Sequence, residues 1–165
     1  QNYPNCFWNM TTMLVDIQVH LKSVYHQEPP NVILKVDEDI VHSGELNRDT
    51  IFEYNGTVCQ GVHNISLELL NKKDSDCVDG KDKAVIIDKI LFFGIDSGQV
   101  LYKSTYVPMY SEEYIKSSLD DGVELDSVLE SCNYLGWNGV WEVQFTAPIF
   151  TWLHNIENLG WVYPK

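Results

Sequence analysis

The chain has 165 residues, of which 11 are basic and 24 are acidic, so its net charge at neutral pH is −13. This excess of negative charge argues against nucleic acid and anionic membrane surfaces as direct partners, because both are bound by basic surfaces. Hydrophobic residues make up 44% of the chain, yet no apolar run reaches the roughly 20 residues of a membrane-spanning helix. We therefore expect no membrane insertion, and a single domain over residues 1–165.

Short segments of alternating apolar and polar residues dominate the first third of the chain. The clearest runs from Met13 to Leu21, and a second covers Val32 to Val36. This period of two is typical of strands with one buried face. A further strand is predicted over Thr50–Tyr54, ended by a hairpin turn at Asn55-Gly56. The segment 1–9 has no clear period and is interpreted as an N-terminal arm.

The second half combines strands with short helical segments. Strands are predicted over Val100–Val107, with Tyr102, Tyr106 and Tyr110 in a stripe, and over Val140–Thr146. A helix is predicted after Ser111, a helical turn within Ser127–Cys132, and a short helix within Pro148–Asn158 that stops at Gly160. Many short strands separated by turn signals predict an all-β fold, an antiparallel, jelly-roll-like β-sandwich with minor helical insertions.

An acidic loop from Asn71 to Lys83 separates two strong strand signals, the alternating Ile65–Leu69 and the nearly continuous apolar run Ala84–Phe93. Four aspartates around Gly80 repel one another unless cations offset their charge. One interpretation is a calcium site, because calcium takes six to eight oxygen ligands. The other is a solvated turn neutralised by nearby lysines. The candidate ligands are Asp74, Asp76, Asp79 and Asp82, and the lysines are Lys72, Lys73, Lys81 and Lys83.

The same stretch resembles the calcium-dependent, xylan-binding type of carbohydrate-binding module. That family has a strand ending in Asn-Asp, a glycine-containing loop, the segment Asp-Arg-Asn-Leu-x-Val-Asp-x-Ile, and a glycine soon after. Here Asn71 matches the asparagine, and Asp82, Asp88 and Ile90 match by residue type. Two positions differ, since Lys72 replaces the acid of Asn-Asp and Ala84 replaces an asparagine.

The resemblance implies a β-sandwich whose loop binds calcium and sugar hydroxyls together. It carries the metal site over to Asp82, with Asp74 or Asp76 substituting for the missing acid, and it implies a glycan ligand beside Asn71. Trp137 lies in a turn flanked by glycines, where its ring can stack on a sugar, although core packing is the default for a tryptophan. Several segments are also similar in style to uncharacterised proteins of tailed marine phages.

Catalytic motifs are not found in the sequence: it has no nucleophile elbow, phosphate-binding loop, dinucleotide fingerprint or zinc-protease signature. Four cysteines without a C-x-x-C pair argue against zinc and leave three disulfide connectivities open: the cysteines are Cys6, Cys59, Cys77 and Cys132. A pair among Glu53, Glu68 and Glu142 keeps a glycan-processing enzyme open as a minority interpretation.

The function predicted from the sequence is therefore a non-catalytic, carbohydrate-binding module, calcium-assisted, that binds surface glycans in a virion or extracellular assembly. The alternative is a structural virion or filament subunit that contacts other subunits of an assembly, with the N-terminal arm packing on a neighbour.

Overall fold

A computed structural model describes residues 11–157 as two antiparallel β-sheets that face each other. One sheet has the strand order β10-β6-β1-β4, with β7 beside β6, and the other has the order β3-β2-β5-β11-β8-β9. The strands in chain order are β1 (Thr12–Val24), β2 (Asn31–Val36), β3 (Asp39–Glu45), β4 (Thr50–Cys59), β5 (Gly61–Leu69), β6 (Ala84–Phe92), β7 (Ile95–Asp96), β8 (Thr105–Pro108), β9 (Leu129–Glu130), β10 (Tyr134–Leu135) and β11 (Gly139–Ala147). The predicted all-β sandwich is confirmed.

In the described range 11–157, three short α-helices join or flank these strands: α1 (Gln99–Tyr102), α2 (Glu112–Asp120) and α3 (Ile149–Ile156). The predicted start of α2 is confirmed, because the Ser111 side chain accepts a hydrogen bond from the backbone N–H of Tyr114. The predicted helix after Pro148 is confirmed as α3. Within residues 11–157, none of the helices has the length and apolar character needed to cross a bilayer.

The core lies between the two sheets and is formed by the inward phase of each strand. Buried apolar side chains alternate with more exposed ones along β1, β5 and β11, as the sequence pattern predicted. Trp141 and Phe145 of β11 are completely buried, and Phe92 of β6 packs on Phe145 with ring centroids 5.5 Å apart. Burial of these large apolar surfaces is the main force that holds the sheets together.

Two of the connections that cross between the sheets carry the acidic loop and the tryptophan turn to one end of the sandwich. Residues 70–83 lead from β5 in one sheet to β6 in the other, and residues 136–138 lead from β10 to β11. The register places these crossings side by side, because Leu69 at the end of β5 pairs with Gly139 at the start of β11. Pro108, at the end of β8, pairs with Gly139 from the other side. This end of the sandwich therefore gathers the acidic loop, the tryptophan turn and the start of α2.

The hairpin turn predicted at Asn55-Gly56 is wrong. Strand β4 continues through both residues to Cys59, and Asn55 and Gly56 pair with Asp16 and Val15 of β1. Ten consecutive residues of β1 are paired with β4, so the tertiary ladder outweighs the local preference of Asn-Gly for a turn. The chain turns instead at Gly61, which has a φ of +125°.

Three further predictions between Val100 and Cys132 are wrong. The first part of the predicted strand Val100–Val107 forms helix α1, and strand β8 starts only at Thr105. The predicted tyrosine stripe does not form, since Tyr102 is exposed on α1 and Tyr106 is buried. The segment Ser127–Cys132, predicted to form a helical turn, instead contains the short strand β9, which pairs with β8 at the edge of its sheet.

Some predicted features lie outside the residues that the structure describes. These are the N-terminal arm over residues 1–9 and the helix stop at Gly160.

Three of the four cysteines lie in the described part of the chain. Cys59 is disulfide-bonded, whereas Cys77 and Cys132 are free thiols.

Substitution of Gly139 tests whether the stability of the fold requires the close approach of β8 and β11. Its φ is +145°, and an added Cβ would lie 2.2 Å from the carbonyl oxygen of Val107. We expect Gly139→Ala to lower the free energy of unfolding by at least about 2 kcal/mol, because both backbone strain and a clash oppose it. Urea denaturation followed by tryptophan fluorescence measures this. The matched control is Gly98→Ala, where an added Cβ meets open space and little change is expected; equal effects of the two substitutions would contradict the prediction.

Candidate functional site

The 71–83 loop lies across the end of the sandwich and is fixed there by two side-chain amides. The Asn71 side chain accepts a hydrogen bond from the N–H of Asn31 at 2.7 Å and donates one to the carbonyl of Pro29 at 3.0 Å. The Asn138 side chain accepts from the N–H of Lys72 at 2.7 Å and donates to its carbonyl at 3.2 Å. Asn71 was predicted to contact a ligand, and the structure shows both ends of its amide engaged by backbone.

Lys72 places its ammonium group inside the loop. Its side chain is only 2% exposed, and Nζ donates a hydrogen bond to Asp82 Oδ1 and another, of 2.9 Å, to the carbonyl of Lys83. The same Nζ lies 5.4 Å from the centroid of the Trp137 ring, within the range of a cation–π interaction. A buried charge is costly unless it is paired and hydrogen-bonded, and these contacts supply that pairing.

Lys83 is the second buried lysine of the loop, with a side chain 1% exposed. Its Nζ donates to the carbonyl of Asn71 at 3.2 Å and forms ion pairs with Asp76 at 3.3 Å and Glu28 at 3.5 Å. The positive charges of Lys83 and Lys73 hold the pKa of Glu28 below its ordinary value. The loop is thus folded around two ammonium groups.

The four predicted calcium ligands are used in different ways. Asp82 and Asp76 contact the two buried lysines, and Asp74 accepts a hydrogen bond of 2.7 Å from the Ser111 hydroxyl. Asp79 is exposed, with a φ of +55°. Among residues 11–157, no group of three or more acidic, histidine or cysteine side chains is arranged to hold a metal. The residues present here do not fit calcium, because Asp82 and Asp76 already hold ammonium groups and Asp74 and Asp79 do not converge with them.

Asp82 is the most connected carboxylate of the loop. Oδ1 also accepts from the backbone N–H of Lys83 at 2.8 Å and from the Cys77 thiol at 3.3 Å, and Oδ2 accepts from the Tyr134 hydroxyl. Partial burial by itself raises the pKa of Asp82, but the hydrogen bonds and the charge of Lys72 outweigh it, so the pKa lies below its ordinary value. Burial and the contact with Asp82 raise the pKa of Tyr134.

An aromatic cluster borders the loop. The Trp137 ring centroid is 4.5 Å from that of Tyr114 and 5.8 Å from that of Tyr110, and the two tyrosines stack with centroids 5.7 Å apart. Trp137 is half-buried against the core, and its backbone N–H and carbonyl both bond to the buried Tyr106 hydroxyl. Tyr114 and Tyr134 are exposed to 39% and 43%. The exposed aromatic surface beside the loop therefore belongs mainly to the tyrosines.

Sequence reasoning missed the structural roles of Lys83, Lys72 and Asn138. One signal was available for Lys83, which continues the inward phase of Val85 and Ile87 at the start of β6. The second interpretation of this loop, a turn neutralised by nearby lysines, agrees with the observed ion pairs of Lys72 and Lys83. That interpretation expected a solvated turn, whereas both of these lysines are buried. No comparable signal marks Asn138, because its partner Lys72 is distant in sequence.

The three glutamates considered for catalysis are divided between the sheets. Glu53 lies on β4 and accepts a hydrogen bond of 3.3 Å from Gln18. Glu142 lies on β11 in the other sheet and accepts one of 3.1 Å from Asn64, and Glu68 lies on the neighbouring strand β5. Glu53 therefore cannot form a catalytic pair with either of the other two across a shared sheet face.

Comparison with known proteins finds similar solved structures. One is described as vCBM60 in complex with galactobiose: it is 16% identical, has a TM-score of 0.46, and the match covers 79% of this chain and 97% of that chain. Another is the selenomethionine form of vCBM60, described with a circular permutation linking two families of calcium-dependent carbohydrate-binding modules. It is 17% identical, has a TM-score of 0.46, and the match covers 82% and 91% of the two chains. No protein-family model and no curated protein matches the sequence.

Both similar structures are described as carbohydrate-binding modules, which is the class that the sequence motif resembles. At 16–17% identity the likeness concerns the fold, which is a two-sheet antiparallel β-sandwich.

Replacing Lys83 tests whether the buried ammonium group supports the loop. We expect Lys83→Met to lower the free energy of unfolding by about 3 kcal/mol, because it leaves Asp76 largely buried without its cation. At about 2–4 °C per kcal/mol this corresponds to a fall in Tm of several degrees, measurable by calorimetry. Lys81→Met, at an exposed position of the same loop, is the control and should change stability by less than about 0.5 kcal/mol. Equal effects at both positions would refute the assignment.

Asp82 gives the fold a pH dependence with a definite sign. Because its pKa is lower in the folded chain, ionised Asp82 stabilises the fold above the ordinary aspartate pKa of about 3.9, and this contribution is lost as the pH falls through the folded value. Asp82→Asn removes the contribution at every pH. We expect the stability difference between wild type and Asp82→Asn, measured by urea denaturation, to be largest near neutral pH and to shrink below about pH 4. Asp79→Asn, at an exposed position, should track the wild type, and a difference that does not vary with pH would contradict the prediction.

Proposed function

We propose that the chain is a non-catalytic, carbohydrate-binding module whose contact surface is the end of the sandwich that carries the 71–83 loop. The observation that carries the proposal is the packing of the aromatic cluster against this loop. The hydrogen bond between Ser111 and Asp74 joins the loop to the start of α2, so Tyr114 of that helix and the loop form one surface.

Sugar rings combine apolar C–H faces with hydroxyl groups, so a site that binds them needs flat aromatic faces beside hydrogen-bonding groups. Tyr114 and Tyr134 supply exposed rings, and their amphipathic side chains bury area at a small cost in conformational entropy. Asp74 and the Tyr134 hydroxyl supply polar atoms at the same end of the fold. Trp137 stays part of this proposed surface as the ring on which Tyr114 packs.

The charge of the chain narrows the class of ligand. A net charge of −13 and the exposed Asp74 and Asp79 disfavour anionic glycans, because like charges raise the free energy of the complex. We therefore propose a neutral glycan as the partner. The proposed contact does not include calcium, since Asp82 and Asp76 hold Lys72 and Lys83 instead.

We also propose that the chain acts in a virion or an extracellular assembly. The disulfide at Cys59 supports this setting, because disulfides form and persist in oxidising environments. A module that binds surface glycans would give such an assembly contact with a cell surface.

A second candidate, a structural virion or filament subunit, is favoured by an apolar surface near α3. Phe150 is 59% exposed and stacks on Phe93, and Ile95 is 45% exposed. Phe150 and Ile95 line a cavity of about 400 Å³ together with Leu153 of α3. Exposed apolar surface of this kind suits a contact between subunits.

Tyr114→Ala is the direct test of the proposed glycan surface. We expect wild type to be retarded in affinity electrophoresis through gels containing neutral polysaccharides, and Tyr114→Ala to lose about tenfold in affinity, because the apolar contact of one large side chain is worth on the order of 1.5–3 kcal/mol. The control is Tyr102→Ala, which removes a tyrosine 68% exposed on α1, near the opposite end of β8.

A thermal melt of each variant confirms that the chains remain folded. No retardation of the wild type by any neutral polysaccharide, together with self-association in sedimentation, would refute the glycan proposal and support the structural subunit.

A further inference from the structure

The residue that follows Asn71 differs between this chain and the family of modules that it resembles. The family motif has an acid there, and this chain has Lys72, whose Nζ contacts Asp82, the one carboxylate that the resemblance carries over to the metal site. We propose that the ammonium group of Lys72 is the resident cation of the 71–83 loop, and that the loop keeps its fold without calcium. This inference concerns the loop alone and does not depend on whether the chain binds a glycan.

The surroundings of Nζ are those of a bound cation. Two oxygen atoms receive its hydrogen bonds, the Asp82 carboxylate and the Lys83 carbonyl, and the face of the Trp137 ring lies nearby. Carboxylate and backbone carbonyl oxygens are the ligand types that calcium takes in protein loops. An ammonium group satisfies the same oxygens with one charge on a covalent tether, so no ion has to be captured from solution.

The ammonium group of Lys83 stabilises the rest of the loop through contacts of the same kind. Its Nζ binds the Asn71 carbonyl and the carboxylates of Asp76 and Glu28. The two buried ammonium groups thus neutralise most of the charge of the three carboxylates that they contact.

A calcium ion added to this arrangement would be repelled. To bind Asp82 it would have to lie about 2.3–2.6 Å from a carboxylate oxygen that already contacts the Lys72 ammonium group. Two cations that share one carboxylate oxygen repel strongly in a partly buried site. The other Asp82 oxygen is engaged by the Tyr134 hydroxyl, and Asp74 is bonded to Ser111. The loop offers no alternative set of converging carboxylates within the described part of the chain.

Calcium titration of the full chain tests the metal independence directly. We expect the Tm of wild type to differ by less than about 1 °C between a chelator and about 5 mM calcium, and isothermal titration with calcium chloride to give no saturable heat. A ligand that binds only the folded state must raise the Tm as its concentration rises. A saturable rise in wild type would therefore overturn the proposal.

Substitution of the lysine tests the role of the ammonium group. Lys72→Met should lower the Tm by several degrees in chelator, whereas Lys81→Met, an exposed lysine of the same loop, should leave it within about 1 °C. A double-mutant cycle with Asp82→Asn isolates the pair, and the double variant should lose clearly less stability than the sum of the single variants. Additive losses, or equal effects of Lys72→Met and Lys81→Met, would overturn the assignment.

If Lys72→Met does not fold, Lys72→Arg replaces it in the cycle, because it keeps the charge and changes only the geometry of the pair. Lys72→Arg should then lower the Tm in chelator by more than Lys81→Met does, and this loss should shrink when Asp82 is also replaced by asparagine. A loss no greater than that of Lys81→Met, or one that Asp82→Asn leaves unchanged, would count against the proposal.

Discussion

Two buried ammonium groups set the shape of the end of this sandwich. Lys72 and Lys83 are almost fully enclosed, and a charge removed from water must find oxygen partners or destabilise the fold. Their partners come from both ends of the loop and from outside it: Asp82 follows Lys72 by ten residues, and Glu28 comes from the connection before β2. The lysines therefore tie together segments that local sequence does not join.

The sheets place these segments within reach of one another. Because β5 and β11 are paired along their whole lengths, the loop after Leu69 meets the turn before Gly139, and Asn138 can bond to the backbone of Lys72. The aromatic cluster follows from the same register, since β8 ends beside Gly139 and delivers Tyr110 and α2 to Trp137. Paired strands thus hold the loop and the helix that form the proposed binding surface, which keeps the geometry of that surface constant.

The charge pairs and the aromatic surface serve different purposes in the proposed function. The buried lysines and the partly buried Asp82 order the loop, whereas Tyr114, Tyr134 and Asp74 are exposed and available to a ligand. Such a division separates the stability of the loop from the contact that it makes. In a calcium-assisted site the same ion would serve both purposes, so a tethered cation leaves the ligand to aromatic and hydrogen-bonding contacts.

The sequence by itself determined the sandwich, since the period of two in β1, β5 and β11 follows from burial of one face of each strand. It also located the acidic loop and the capped start of α2, which depend on neighbouring residues. Tertiary structure decided the rest. Asn55-Gly56 became strand because β1 pairs with it, and Lys72 met Asp82 rather than solvent because the loop folds back across the end of two sheets. Both outcomes depend on how strands distant in the chain pair, and a pattern of neighbouring residues does not contain that information.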